Sequence, residues 1–309
     1  MIVRERPSGW RLFFVVRGSI VPKIAPKILA TMALAAIVAW SHGVFFAHDL
    51  TFTATPFTII GLALSIFLGF RNGAAYDRFW EGRKLWGELV ITSRTLARQV
   101  TTLIGRDTTP ELDALRRQMI GKTMGFAHAL RHHLRDTDPR ADLVRVLGEE
   151  VAAGILASRN RPQAIVRSLG ADLQACIRRG FIADPIVLAL DASLHSLDGV
   201  LAGCERIRTT PIPFSYTLLL HRTAYLYCFL LPFGLVDTVG LATPLVVGLV
   251  SYTFFGLDAL GDEIEEPFGL QPNDLPLSAM CRTIEISLRE ALGDTDIPSP
   301  AAPVDYALE

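Results

Sequence analysis

LTFTATPFTIIGLALSIFLGF, residues 50–70, contains no Asp, Glu, Lys or Arg. It is 21 residues long, about what an α-helix needs to cross a hydrocarbon core roughly 30 Å thick. The stretch that follows, RNGAAYDRFWEGRKLWGELVITSRTLAR (Arg71–Arg98), has paired charges and no proline. The pattern therefore predicts one helix that crosses a membrane and continues beyond it. Asp77 and Glu81 stand four apart with Arg78 and Arg83 nearby, a spacing for ordinary helical ion pairs. The aromatic density at Tyr76, Phe79, Trp80 and Trp86 favours a packed boundary between membrane and water.

Working outward, ILATMALAAIVAWSHGVFFAH (residues 28–48) is a second 21-residue gap in the charges, and Thr238–Leu257 is a third such span. A fourth is expected from about Tyr216 to Val236. It is interrupted by His221 and Arg222, which would face protein or water because a lone charge in lipid is expensive; a buried helical hairpin is the alternative there. Composition agrees: 50% of the 309 residues are hydrophobic and only 20% charged, against about a quarter in soluble domains. A net charge of −1 argues against a nucleic-acid binder, and four cysteines are too few for a disulfide scaffold.

Basic residues set the expected orientation. Arg4, Arg6, Arg11, Arg17, Lys23 and Lys27 precede the first span against the single acid Glu5, and Arg71, Arg78, Arg83 and Lys84 follow the second. The short loops around Asp49 and Asp237 lack Lys and Arg. The positive-inside rule then places both termini in the cytoplasm of a bacterial inner membrane. The fold class is all-α: a cytoplasmic N-terminal segment (1–26), transmembrane helices 1 and 2 (27–73), a helical cytoplasmic domain (74–208), transmembrane helices 3 and 4 (209–258) and a cytoplasmic C-terminal segment (259–309). Within the cytoplasmic domain, Glu111–Arg135, Ala141–Ser158 and Pro185–Arg206 show helical periodicity. Pro110 and Pro139 lie near helix starts, with Thr108, Thr109 and Asp138 as caps. The tail IPSPAAPVDYALE (297–309) reads as unstructured unless a partner holds it.

Two stripes mark the second span. Gly61, Ser65, Gly69 and Gly73 form a line of small residues that lets helix backbones approach closely in lipid. Beside it run Leu62, Ile66 and Phe70. Lipid contact or core packing is the simpler reading of that bulky row. If several copies surround an axis, the same residues form apolar rings that gate by dewetting.

These residues carry a family resemblance. WRLFFVVRGSIVPKI (Trp10–Ile24), SIFLGFRNGAAYDRFWEGRKLWGEL (Ser65–Leu89), GFIADPIVLAL (Gly180–Leu190) and EIEEPFG (Glu263–Gly269) resemble, in order, motifs of the bacterial bestrophins. The resemblance implies a homopentamer in the lipid bilayer with one central pore lined by the second helices, passing monovalent inorganic ions passively. It implies a neck at Leu62, Ile66 and Phe70 and a cytoplasmic aperture at Ile186. Animal members conduct chloride and hold a regulatory Ca²⁺ with an acidic run after an Asn-Pro-Phe-Gly turn. Here only Asp274 remains of that run, with Glu263 and Glu266 upstream as the rest of the remnant site, too few for an ion that takes six to eight oxygens. No metal and no cofactor is therefore expected.

Asp184, Asp191, Asp198 and Glu205 recur every seven residues, and a helix drifts only about 20° per heptad. Stacked in an oligomer they would form acidic rings in the pore, which favour cations; a solvated outer face is the alternative. The reading leans to Na⁺, with chloride conduction the alternative. His128, His132 and His133 have metal-like spacing but read as a solvated helix face. No catalytic motif is present, so no enzyme is expected; a membrane-embedded enzyme using His42, His221 or Arg222, and a non-conducting scaffold, are the rival classes.

Overall fold

A computed structural model of the protein describes residues 1–4, 9–41, 44–45, 48–49, 52–105 and 109–309. Glu5, Arg6, His42 and Thr108 of the sequence reading lie outside them. The elements in order are α1 (Trp10–Phe13), α2 (Val21–Trp40), a hairpin of β1 (Val44–Phe45) and β2 (His48–Asp49), α3 (Ala54–Leu103), α4 (Pro110–Arg135), α5 (Arg140–Leu147), α6 (Glu149–Leu156), α7 (Arg161–Arg178), α8 (Asp184–Thr209), α9 (Phe214–Val239), α10 (Thr243–Glu265) and α11 (Leu277–Ala291). They form two compact units, one of Arg4–Phe79 and Pro211–Glu266, the other of Met1–Val3, Trp80–Thr210 and Pro267–Glu309.

The first unit holds α2, the beginning of α3, α9 and α10. Helix α2 starts at Val21, well before the charge-free run, and so takes in Lys23 and Lys27. Pro22 sits in its first turn, where a missing N–H leaves no bond unmade, and Pro26 lies inside. Helices α9 and α10 are separated by a short 3-10 turn, Gly240–Ala242, at which Gly240 takes φ 59°. That left-handed conformation ends α9 at little steric cost only for glycine. Leu64 and Leu68 of α3 pack with Ile24, Leu220, Ala224 and Phe255 in a single apolar core. Small residues permit the close approach: a β-carbon added at Gly61 would lie 2.6 Å from the Tyr227 hydroxyl, and one at Gly248 would lie 2.7 Å from the Met32 sulfur. Thr31 and Ser251 satisfy each other with a buried 3.1 Å hydroxyl hydrogen bond, as polar groups between apolar helices must.

The second unit is built on α4, whose long buried face packs against α5, α7 and α11. Thr109 caps α4 by accepting the Leu112 N–H, and Asp138 accepts the Arg140 N–H ahead of α5. The segment expected as continuous over Ala141–Ser158 is two helices, because Gly148 at φ 80° breaks it. Helix α7 was not anticipated: its arginines hide a buried face of Ile165, Leu169, Leu173 and Cys176. The C-terminal tail is also ordered, contrary to expectation. The Met1 amine donates to Leu308 O at 2.5 Å, Val3 N–H donates to Tyr306 O at 2.8 Å, and Ala279 N–H in the first turn of α11 donates to Glu309 O at 2.6 Å. The partner that holds the tail is the chain's own beginning.

The histidines of α4 are not a solvated face. His128 is buried and lies 3.3 Å from Glu285, His132 lies 3.0 Å from Asp142, and His133 lies 2.9 Å from Glu205. Arg145 bonds Glu285 at 2.6 Å and Asp142 at 3.2 Å, joining α5 to α11. The hydrogen bond from His132, with the His128 and Arg131 charges, holds the Asp142 carboxyl well below the usual carboxylate range. Burial alone would raise Glu285, but hydrogen bonds from His128 and Arg145 prevail and hold it low as well. Both carboxyls therefore refuse protons that an unfolded chain accepts near pH 4. Their stabilisation is full above that pH and is lost as pH falls below it toward the lower folded-state values. Glu285→Gln is expected to lower the melting temperature at pH 7, with the gap from the parent narrowing between pH 5 and pH 3. Thermal unfolding in detergent across that range checks this; a gap constant with pH would refute the assignment.

All four cysteines, Cys176, Cys204, Cys228 and Cys281, are free thiols and buried.

Candidate ion pathway

Helix α3 begins after Thr53 and is 50 residues long. No residue after Pro56 interrupts its ladder, since Pro56 falls in the first turn where proline is tolerated. Successive residues turn by about 100°, so residues four apart share one face and residues two apart lie on opposite faces. Leu64 and Leu68 are 3% and 0% exposed, whereas Leu62, Ile66 and Phe70 are 65%, 49% and 67% exposed. The row found by spacing is thus a line of large apolar side chains pointing away from the core of its own unit. Phe67 stacks edge-on against Phe70, with ring centroids 6.4 Å apart. Of the small-residue line, Gly61 is used within the chain against Tyr227, while a β-carbon at Gly69 or Gly73 would meet nothing within 4 Å.

The residue after Phe70 is the one sequence reasoning used only for topology. Arg71 is fully buried. Its guanidinium pairs with Asp258 at 2.9 Å, with Asp262, and with Glu265 at 3.7 Å, all on α10. The Asp258 carboxylate is shared with His221 of α9 at 2.7 Å. Asn72 donates to Leu257 O at 3.0 Å, and Arg78 Nε donates to Glu265 O at 3.1 Å. The fork of five N–H donors suits an arginine to such a multi-carboxylate site. The signal in the sequence was there: an arginine immediately after a charge-free span, and three acids of α10 at helical spacing. His221 faces protein as expected, while Arg222 is exposed.

In the other unit, α8 carries the acidic heptad. Asp184 and Asp191 are exposed and Asp198 is half-buried. Glu205 is engaged within its unit, accepting from Asn160 Nδ2 at 2.8 Å and facing His133. Ile186 is half-buried in the first turn of α8, its N–H bonded to Ala183 O at 2.9 Å. The opposite face of α8, with Leu190, Leu194, Leu197 and Leu201, is buried, and Gln99 of α3 ties to it through Ser193 at 2.8 Å.

Glu263 is buried on α10 and Glu266 is exposed at its end. Asp274 is buried in a turn and accepts the Gln271 N–H at 2.7 Å. Among the described residues no group of three or more His, Cys, Asp or Glu side chains is placed to hold a metal.

Four stretches are long and apolar enough to cross a membrane: α2, α3, α8 and the run containing α9 and α10. Long apolar helices, a row of large exposed apolar side chains on one of them and a charged cluster buried beside it mark a helical membrane protein. The chain belongs to the bestrophins: the model of the bacterial and fungal bestrophin family matches residues 1–290. It is 48% identical over 296 residues to the voltage-dependent anion channel-forming protein mll4386 of Mesorhizobium japonicum, covering 95% of this chain and 93% of that one. It is 42% identical over 303 residues to the voltage-dependent anion channel-forming protein YneE of Escherichia coli K12, covering 98% of each. The crystal structure of a bacterial bestrophin homologue from Klebsiella pneumoniae matches with a TM-score of 0.83 at 41% identity, over 88% of this chain and 99% of that one.

Proposed function

We propose that this bestrophin-family channel is a homopentamer in the bacterial inner membrane, with a central pore lined by α3 and a hydrophobic neck at Leu62, Ile66 and Phe70. The exposure of that row, opposite the buried Leu64 and Leu68, carries the reading. Apolar rings of this kind hold back hydrated ions until the constriction wets or widens. The open faces at Gly69 and Gly73 leave room for another copy to approach. The spans in this reading are α2, the first part of α3, α9 and α10. Helix α8 stays outside the bilayer, since it carries Asp184, Asp191, Asp198 and Glu205 along its length and such groups are costly in lipid. An even number of spans accords with the pairing of Met1 and Leu308, which needs both termini on one side; we assign that side to the cytoplasm. Ile186 forms the cytoplasmic aperture. Gating is independent of Ca²⁺.

The selectivity we propose leans to monovalent cations, Na⁺ among them. Asp184 and Asp191 are exposed near the start of α8 and engage in no described hydrogen bond or ion pair, so stacked copies would offer acidic rings. The printed names of the Mesorhizobium and Escherichia relatives favour the second reading, anion conduction. Purified protein in planar bilayers under a NaCl gradient decides between them. The expected reversal potential lies toward that of Na⁺; a shift to the chloride potential overturns the cation reading. No current above that of empty bilayers overturns conduction itself.

A further inference from the structure

The helical unit containing α4 to α8 and α11 holds a cleft of about 640 Å³, lined by His132, His133, Asp136, Thr137, Asp138, Arg140, Leu156, Arg159 and Arg161. Its charges are unevenly spent. Asp136 is paired with Arg208, Asp138 accepts the Arg140 N–H, His132 bonds Thr137 at 2.6 Å and faces Asp142, and His133 faces Glu205. Arg140, Arg159 and Arg161 have no described ion pair. Arg161 Nε is moreover buried with no hydrogen-bond partner, an arrangement that native proteins rarely leave unanswered. Three guanidinium groups with no described ion pair outnumber the one lining carboxylate, Asp138, that is likewise without one, around a concavity large enough for a small molecule, and so favour an anionic occupant. At these helix starts Gln163 N–H is committed to Asn160 Oδ1 and Arg140 N–H to Asp138. The arginine forks add planar donor pairs that match phosphate oxygens two at a time. Leu156 is the single apolar side chain of the lining.

We propose that this cleft binds a phosphate-bearing anion, with two or more phosphoryl groups held by Arg140, Arg159 and Arg161. The site is distinct from the proposed neck, and it stands whether or not conduction proceeds as proposed above. Titration calorimetry of the full-length protein in neutral detergent with sodium pyrophosphate tests it. Saturable binding is expected at low ionic strength, weakening as salt screens the arginines. Arg159→Ala with Arg161→Ala is expected to weaken it about tenfold or more, at an unchanged melting temperature because Arg159 is exposed and Arg161 half-buried. Arg140→Ala alone gives a smaller loss in the same direction and serves if the double variant fails to fold. Absence of saturable binding, or equal affinity of parent and variants, overturns the proposal. Repeating the titration in nanodiscs separates the sources of the phosphate: a weaker apparent affinity in phosphatidylglycerol than in phosphatidylcholine, abolished by the double variant, assigns the cleft to a lipid headgroup. Equal affinity in both lipids assigns it to a soluble phosphate.

Discussion

Replacing Leu62, Ile66 and Phe70 together with alanine is expected to increase the ion current through the reconstituted protein by roughly tenfold or more. The side chains are exposed in the folded chain, so their removal leaves no cavity in the core formed by Leu64 and Leu68. In the proposed neck they impose a barrier, the dehydration of an ion entering an apolar ring. Because a fall of about 1.4 kcal/mol in a barrier multiplies a rate tenfold, even partial wetting of the shortened neck gives a large signal. Single-channel recording separates greater conductance from greater open probability. Currents indistinguishable from the parent would mean that the row faces lipid and that the constriction lies elsewhere.

Arg71→Ala should be the most damaging single substitution in the first unit. It leaves Asp258 buried with only His221 beside it and strips Asp262 and Glu265 of their shared cation. Removing one partner of a buried ion pair costs about 3–5 kcal/mol, since the other charge stays buried and uncompensated. The expected result is a steep fall in melting temperature and in the yield of monodisperse protein in detergent. Asp258→Asn keeps the shape and one acceptor, and two acids remain for Arg71, so its loss should be clearly smaller. Equal stability of Arg71→Ala and the parent would show that the cluster is solvated and contributes little.

The contrast between Phe70 and Arg71 shows what sequence alone reveals here. A span announces itself by missing charges, and the spans expected around residues 28–48, 50–70, 216–236 and 238–257 overlap α2, α3, α9 and α10, although α2 stops at Trp40 and the charge-free residues after it include β1. Helix ends were less legible. Nothing in the apolar run tells that α2 extends back over Pro22 and Lys23, because a proline in a first turn reads equally as a loop. The row at Leu62, Ile66 and Phe70 was visible because a helix keeps residues four apart on one face. The partners of Arg71, His128 and His133 were hidden for the opposite reason. Asp258, Glu285 and Glu205 are far away along the chain, and no local spacing encodes a tertiary ion pair. The same blindness made the α4 histidines look solvated and the tail look free. In α7, Arg161, Arg167 and Arg178 interrupt the apolar residues Ile165, Leu169 and Leu173, so its buried face is not legible as a run.

The four buried thiols have a chemical consequence. Thiolates, not thiols, react with electrophiles in water, and burial pushes the Cys281 thiol up to about 12 and raises that of Cys176. Cys204 and Cys228 are shielded by the packing around them. The folded channel is therefore nearly inert to water-borne alkylating reagents without any engineering. A cysteine introduced on the outward face of α3 would be the lone reactive sulfur of the chain, and its rate of modification would read the hydration of the proposed neck directly.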